Sequence, residues 1–321
     1  MTSPVFWPKG PEMLNFVLFK FFRALLTILG CATIVFFVMR LAGDPLLALL
    51  PADTPPEAME HYRVLWGLDQ PLYVQYVSYL AALAQGEFGR SLADGRDALD
   101  RADRAGATLL LGGVVIAIAI LIGVPAGTCA ALRRGQPVDR LTMSIAIFGY
   151  AMPNYFLGLL LILFFSIHLR LLPSSGYGSP AYLVMPAITL GTTMAAKLAR
   201  FVRTSVLDVL GQPFVRAARG KRLGELMVIA RHIFPNAAIP VITFFGFEVG
   251  LLIGGAVVTE NVFGWPGVGQ LLVQSVSRRD LAVVQTIVML VAATVIAANL
   301  IVDLAYGWID PRVRIAGGRL G

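Results

Sequence analysis

The sequence predicts an all-α polytopic membrane protein with about six transmembrane helices, and three observations carry that prediction. Hydrophobic residues make up 57% of the 321 positions and charged residues only 14%, more apolar surface than a soluble domain of this size can bury. Apolar runs of roughly 20 residues, the length needed to cross a hydrocarbon core of about 30 Å, recur along the chain. The runs are continuously apolar rather than alternating, which selects helices over barrel strands.

The first run is apolar from Phe16 to Leu41. Lys20 and Arg23 precede its strongest part as the basic region of a signal peptide would, but no small-x-small pattern closes it. It is expected to be an uncleaved first span, so that 1–41 comprises an N-terminal segment and one crossing. Five further runs follow at 107–132, 141–169, 183–202, 239–259 and 281–306. Pro125 and Pro153 fall inside two of them and predict kinks. Cys31 and Cys129 lie within apolar runs, so neither a disulfide framework nor a metal site is expected. His168 and His232 are lone histidines near span ends and read as interfacial.

Lys and Arg set the orientation. Of the 26, 17 fall in 1–23, 133–140, 197–238 and 307–321, which makes those segments, both termini included, cytoplasmic by the positive-inside rule. The loop 42–106 is then exoplasmic. It carries ten of the 19 acidic residues between 44 and 103, and an amphipathic piece over 73–83 suggests a small cap. The net charge of +7 follows from this asymmetry and implies no nucleic-acid partner.

The cytoplasmic stretch 204–236 is too long for a plain helix connection. Its apolar residues recur at helical spacing, a basic break covers 219–222, and a second short helix is expected to end near Pro235. Such a helix, turn and helix outside the membrane presents a small-residue knuckle with basic flanks, suited to a groove on a partner.

This stretch resembles the coupling motif of binding-protein-dependent ABC importer permeases: Glu-Ala-Ala, three residues, Gly, nine residues, Ile-x-Leu-Pro. Ala217 and Ala218 stand at the two alanines and Arg216 replaces the glutamate. His232, Ile233, Phe234 and Pro235 occupy the closing tetrad. The run Phe214-Val215-Arg216-Ala217-Ala218-Arg219-Gly220-Lys221-Arg222-Leu223 is similar to the peptide-permease branch, except that Arg222 stands where that branch has glycine. Either Gly220 or Gly224 supplies the turn instead, or the knuckle is altered and coupling weakened. Further stretches resemble the same branch: Arg40 to Pro45, Gly67 to Leu72, Gly86 to Ser91, Gly123 to Gly127, Glu260 with Trp265-Pro266-Gly267, and Asp310 to Arg314. Together they resemble the first subunit of dipeptide and oligopeptide permeases.

The resemblance implies a type I ABC importer permease fold, with the transmembrane core over 107–306 and a cytoplasmic tail over 307–321. It implies a multi-pass protein of the bacterial cytoplasmic (inner) membrane that hydrolyses nothing itself. The partners it implies are a homologous second permease subunit, two ATP-binding subunits and an exoplasmic substrate-binding protein. No cofactor is expected in this chain, since ATP and Mg would sit on the ATPases; Walker and metalloprotease motifs are indeed missing from the sequence. ATPase coupling would fall on Arg216, Ala217, Ala218, Arg219, Gly220, Lys221, Arg222, Leu223, Gly224 and Pro235. The substrate, whether dipeptide, longer peptide, glutathione, nickel chelate or opine, stays open.

Polar residues within spans are costly and are therefore functional candidates. Glu248, near the middle of the fifth run, is a candidate for the substrate pathway, with a structural hydrogen bond to another helix as the alternative. Lys197 is expected to snorkel, and Asp303 to pair with a basic neighbour. Gly246, Gly250 and Gly254, four residues apart, predict close helix packing. An ion-coupled secondary transporter is the alternative function, but it calls for several midplane acids and an inverted repeat, and the runs contain one central carboxylate. A membrane-embedded hydrolase would need a nucleophile and base at depth, and the histidines are misplaced for that.

Overall fold

A computed structural model describes residues 11–41, 43–44, 46–50, 53–91, 95–221 and 223–309. In chain order the helices are α1 (Pro11–Leu41), α2 (Leu46–Leu49), α3 (Pro56–Leu65), α4 (Leu72–Ala84), α5 (Ala105–Ile118), α6 (Val124–Leu132) and α7 (Pro137–Ala151). There follow α8 (Asn154–Leu161), α9 (Pro180–Leu210), α10 (Pro213–Gly220), α11 (Glu225–Val228), α12 (Phe234–Val262), α13 (Val268–Ser277) and α14 (Leu281–Ile309). Among the described residues the β structure is an isolated bridge between Arg90 and Asp97. The regular structure of the described residues is otherwise all helical, as the sequence predicts.

Among the described residues four helical stretches are long and apolar enough to cross a membrane: Phe21–Leu41, Ala105–Leu132, Pro180–Leu210 and Leu281–Leu300. Two bent helix pairs raise the number to six if each is one span. The two prolines expected to kink act differently. At Pro125 the helix keeps its course, because a π turn over Ala119–Gly123 re-registers the hydrogen bonds just ahead of it. At Pro153 the chain turns by 96°. Met152 is forced into an extended conformation (φ −76°, ψ 122°), as a residue before proline tends to be, and α8 restarts with Phe156 and Leu157 N–H groups bonded to the Pro153 carbonyl.

The chain divides into two compact units, one of residues 1–101, 275–297 and 311–321, the other of 102–274 and 298–310. In the second unit α9 is the central element. Its buried face carries Leu190, Met194, Leu198, Val202 and Val206. Along α5 and α6 it runs parallel: Gly191 abuts Ile118, Gly123 abuts the Ala195 carbonyl, and Gly127 abuts the Ala199 carbonyl. Along α7 and α12 it runs antiparallel, as Arg203–Asp139 with Lys197–Tyr150, and Phe201–Phe244 with Lys197–Glu248, require, while the start of α8 meets it through Thr193 and Asn154. Alternating directions of this kind are what a chain crossing a bilayer repeatedly produces.

The small-residue ridge belongs to this interface. A Cβ on Gly123 would lie 2.8 Å from the Ala195 carbonyl oxygen, so only glycine lets the backbones meet. The glycines expected to pack on α12 behave otherwise: Gly246 is buried and Gly250 half-buried, but Gly254 is exposed and a Cβ there would meet open space. Four-residue spacing marks a ridge only where a facing helix fills it, and in this chain that helix faces α6.

In the first unit, the loop 42–106 begins with ordered structure. The Asp44 carboxylate accepts the Leu46 N–H at 2.9 Å and Arg63 Nη2 at 2.6 Å, while the Asp44 carbonyl accepts from Arg279. Ser91 Oγ donates to the buried Asp280 at 2.5 Å, and the Asp280 carbonyl accepts the Val284 N–H at the start of α14. Phe36 of α1 is buried against Phe37, Tyr76 and Tyr79.

Candidate functional site

Three places in the second unit gather the chemistry. At one end of the bundle, α9 continues as helix to Leu210, well past the apolar run that predicted it. Pro213 restarts the chain as α10, whose Val215 and Ala218 are buried in the core with Val228 and Ile233. This leaves Phe214, Arg216, Ala217, Arg219, Gly220 and Lys221 on the outer surface. Arg219 reaches across the turn to Glu225 at 2.5 Å, and the Gly224 carbonyl starts α11 by accepting the Met227 and Val228 N–H groups. Neither Gly220 nor Gly224 adopts a left-handed φ, so the turn uses neither glycine's special freedom. Arg222 lies outside the described residues, and Leu223 is half-buried behind the turn.

The second short helix does not end near Pro235. A π turn over Ile229–Ile233 joins α11 to α12 and re-registers the hydrogen bonds just ahead of Pro235, and the helix bends by 44° farther on, between Ala238 and Pro240. Composition suggested a breaker because proline inside an apolar pattern usually is one. Sequence reasoning also missed the apolar side chains at this end: Leu226 is 83% exposed, Met227 48% and Phe214 42%. A patch of this kind beside exposed arginines suits a protein partner. Next to it, Asp139 accepts two bonds from Arg203, at 2.6 and 2.8 Å, and one from the Gly135 N–H. The start of α7 is thus pinned to the end of α9.

Midway along the bundle lies an ion pair. Lys197 Nζ stands 3.2 and 3.1 Å from the two Glu248 oxygens. Lys197 therefore does not snorkel to an interface, because a carboxylate on the neighbouring helix satisfies it at depth. Glu248 is some 21 Å from either end of α12 at 1.5 Å per residue. Tyr150 of α7 faces the same group: Lys197 Nζ is 5.6 Å and the Arg200 guanidinium 5.8 Å from its ring centre. Glu248 is the residue singled out from sequence, and the partner brought to it lies 51 positions away.

At the opposite end Glu260 is fully buried and surrounded by neutral donors. Its carboxylate accepts Thr108 Oγ1 at 2.7 Å and the backbone N–H groups of Gln270, at 3.0 Å, and Gly269. These amides are at the start of α13, where a helix end favours an anion. Gly267 and Gly269 leave the room the carboxylate fills. Trp265 closes the cluster by donating Nε1–H to the Ala107 carbonyl at 3.0 Å and meeting Tyr177 edge-on. The spacing of Glu260 from the two glycines is the signal by which the sequence could have revealed this site.

Elsewhere His168 stacks on Phe164. Helix α14 runs through Asp303, whose side chain lies outside the described residues, as does 310–321. Among the described residues no group of His, Cys, Asp and Glu could hold a metal.

Comparison with known proteins bears on these sites. Residues 123–315 match the family described as binding-protein-dependent transport system inner membrane component, and residues 13–95 its N-terminal counterpart. The chain is 40% identical over 304 residues to the glutathione transport system permease protein GsiC of Escherichia coli K12 and to that of Shigella dysenteriae serotype 1, covering 94% of this chain and 99% of each relative. Among solved structures it is similar to a chain of the MetNI methionine ABC transporter in an inward-facing conformation, with a TM-score of 0.55 at 20% identity over 65% of this chain and 95% of that one. It is likewise similar to an amino acid ABC transporter with histidines, at a TM-score of 0.51 and 17% identity over 71% and 97%. At these identities the structural likeness bears on the fold.

Proposed function

Because the chain belongs to the family of binding-protein-dependent transport system inner membrane components, and is thus a multi-pass, non-catalytic permease subunit of an ABC importer, we propose that its cargo is short peptides. The single observation that carries this reading is the Lys197–Glu248 pair at mid-depth. A short peptide is a zwitterion: its ammonium group complements Glu248 and its carboxylate complements Lys197. An ion pair that can be exchanged for a ligand of the same two charges lets cargo enter an apolar bundle without leaving either side chain uncompensated. The similarity to glutathione permeases supports it, glutathione being a tripeptide.

On this reading 204–236 is the coupling segment, with Arg216, Ala217, Arg219, Gly220, Lys221, Arg222, Gly224 and Pro235 at the ATPase surface, the buried Ala218 and half-buried Leu223 supporting it from behind rather than touching the partner, and the exposed Phe214, Leu226 and Met227 as its apolar contacts. Both termini are cytoplasmic, and 42–106 faces the binding protein. A homologous second permease subunit and two ATP-binding subunits complete the complex, with ATP and Mg held on the latter. ATP binding draws the coupling helices together. The bundle then exchanges inward for outward opening, and cargo affinity must differ between those states.

The test is ATPase activity of the reconstituted complex with its binding protein. Stimulation by peptide-loaded binding protein, reduced in Glu248→Gln while basal ATPase is unchanged, supports the reading. Wild-type peptide transport by Glu248→Gln removes the pathway role of the pair.

A further inference from the structure

Helix α4 is uncharged from end to end, and the nearest acids are Asp69 and Glu87 on either side. One of its faces is turned to α1: Tyr76 and Tyr79 stack around Phe36, and the Tyr76 hydroxyl bonds Thr33 Oγ1 at 2.7 Å. Phe36 and Thr33 belong to the apolar stretch Phe21–Leu41. At 1.5 Å per residue they lie about 7.5 and 12 Å inside its Leu41 end. The residues of α1 beside them, Ile34, Phe37 and Val38, are exposed on this unit, as a lipid-facing surface must be. The other face of α4 presents Leu72, Tyr73 and Val77, likewise exposed. The two exposed faces adjoin through the aromatic cluster.

We propose that α4 is not part of a water-exposed cap but an interfacial membrane helix, lying in the outer leaflet with its Leu72–Tyr73–Val77 face against acyl chains. Some of its polar groups are arranged for that setting, while Tyr79 Oη and Gln75 Oε1, both buried, have no hydrogen-bond partner among the described residues. Tyr76 and Thr33 satisfy each other, as hydroxyls away from water must. Gln75 turns its amide back to the Leu68 and Gln70 carbonyls of the preceding turn, at 3.4 and 2.6 Å. Tyr62 and Trp66, which pack on each other just upstream, add aromatic rings of the kind that gather at the headgroup level. An apolar helix of about 10–14 residues suits an interfacial segment, and such segments sit about 5–10 Å into the boundary between headgroups and chains. The consequence for topology is that 42–106 leaves the membrane, dips into the outer leaflet at α4, and leaves it again before Glu87.

The experiment uses the assembled transporter in phosphatidylethanolamine–phosphatidylglycerol vesicles. Cys31 and Cys129 are replaced by alanine, and an NBD label is placed at Val77→Cys, or at Tyr73→Cys if the first variant does not assemble. Glu57→Cys serves as the aqueous control. The expected result is loss of NBD emission in vesicles whose lipids are brominated near the glycerol end of the acyl chains, with iodide in the buffer ineffective at Val77 and effective at Glu57. Iodide quenching at Val77 equal to that at Glu57 overturns the proposal. Shielding from iodide that develops only when the binding protein is added also overturns it, since the face would then be a protein-docking surface.

Discussion

Glu248 and Glu260 lie on the same helix, about three turns apart, both buried, and they are compensated in opposite ways. Glu248 holds a cation on a neighbouring helix. Glu260 holds none, and is stabilised by a hydroxyl and by the amides that begin α13. A charge balanced by a mobile side chain can be rebalanced by a ligand. One balanced by fixed backbone dipoles cannot, because nothing around it can leave. On the proposed reading, the middle of α12 is a place where binding would change the structure, and its end a place where backbone amides hold the carboxylate.

The comparison can be broken most forcefully at the ion pair. Glu248→Gln leaves Lys197 charged and unpaired at depth, at an expected cost of about 3–5 kcal/mol. The double variant Lys197→Met/Glu248→Gln should recover most of that stability while peptide transport stays impaired. Thermal unfolding in detergent alongside uptake in proteoliposomes separates the two effects, and a double variant that transports normally would make the pair purely structural. Glu260→Gln should cost less, about 1–3 kcal/mol, by setting an NH2 group against N–H donors. It should lower the unfolding temperature and leave the peptide dependence of ATPase stimulation unchanged. Thr108→Val removes one donor to Glu260 and the acceptor for the Val268 N–H, for a loss of about 1 kcal/mol seen as faster hydrogen exchange at the start of α13. The smallest effect is expected at Glu225→Gln. Its pair with Arg219 is about half exposed, so at most about 1 kcal/mol is at stake. Any large loss of transport in that variant, without loss of stability, would place the pair in the ATPase contact.

What the sequence made legible follows from how local each signal is. Hydropathy needs only a window, and it located every long apolar helix among the described residues. Proline is a local signal too, yet Pro125 and Pro153 differ because the outcome depends on the turn ahead of the ring: a π turn precedes one, and an extended Met152 the other. Glu248 stood out through its depth alone. That Lys197 would meet it was illegible, since the pairing of α9 with α12 is fixed by packing across the bundle. The glycine ridge was sought on α12 because three glycines share a face there, but a ridge is a property of two helices. The coupling segment was recognised by its length and composition. Its second helix was cut short at Pro235 because a π turn leaves no mark in hydropathy.

The glycine contacts between α6 and α9 also have a mechanical meaning. With the Gly123 and Gly127 backbones set against the Ala195 and Ala199 carbonyls, and Arg203 clamped to Asp139, α9 has little freedom to slide or bend against its neighbours. Since α9 ends directly in α10 across Gly211 and Gln212, a load on the outer surface of α10 meets a stiff rod and not a spring. On the coupling role proposed for α10, a push on its outer surface would reach the Lys197 turn through α9, as through a lever whose short arm is α10.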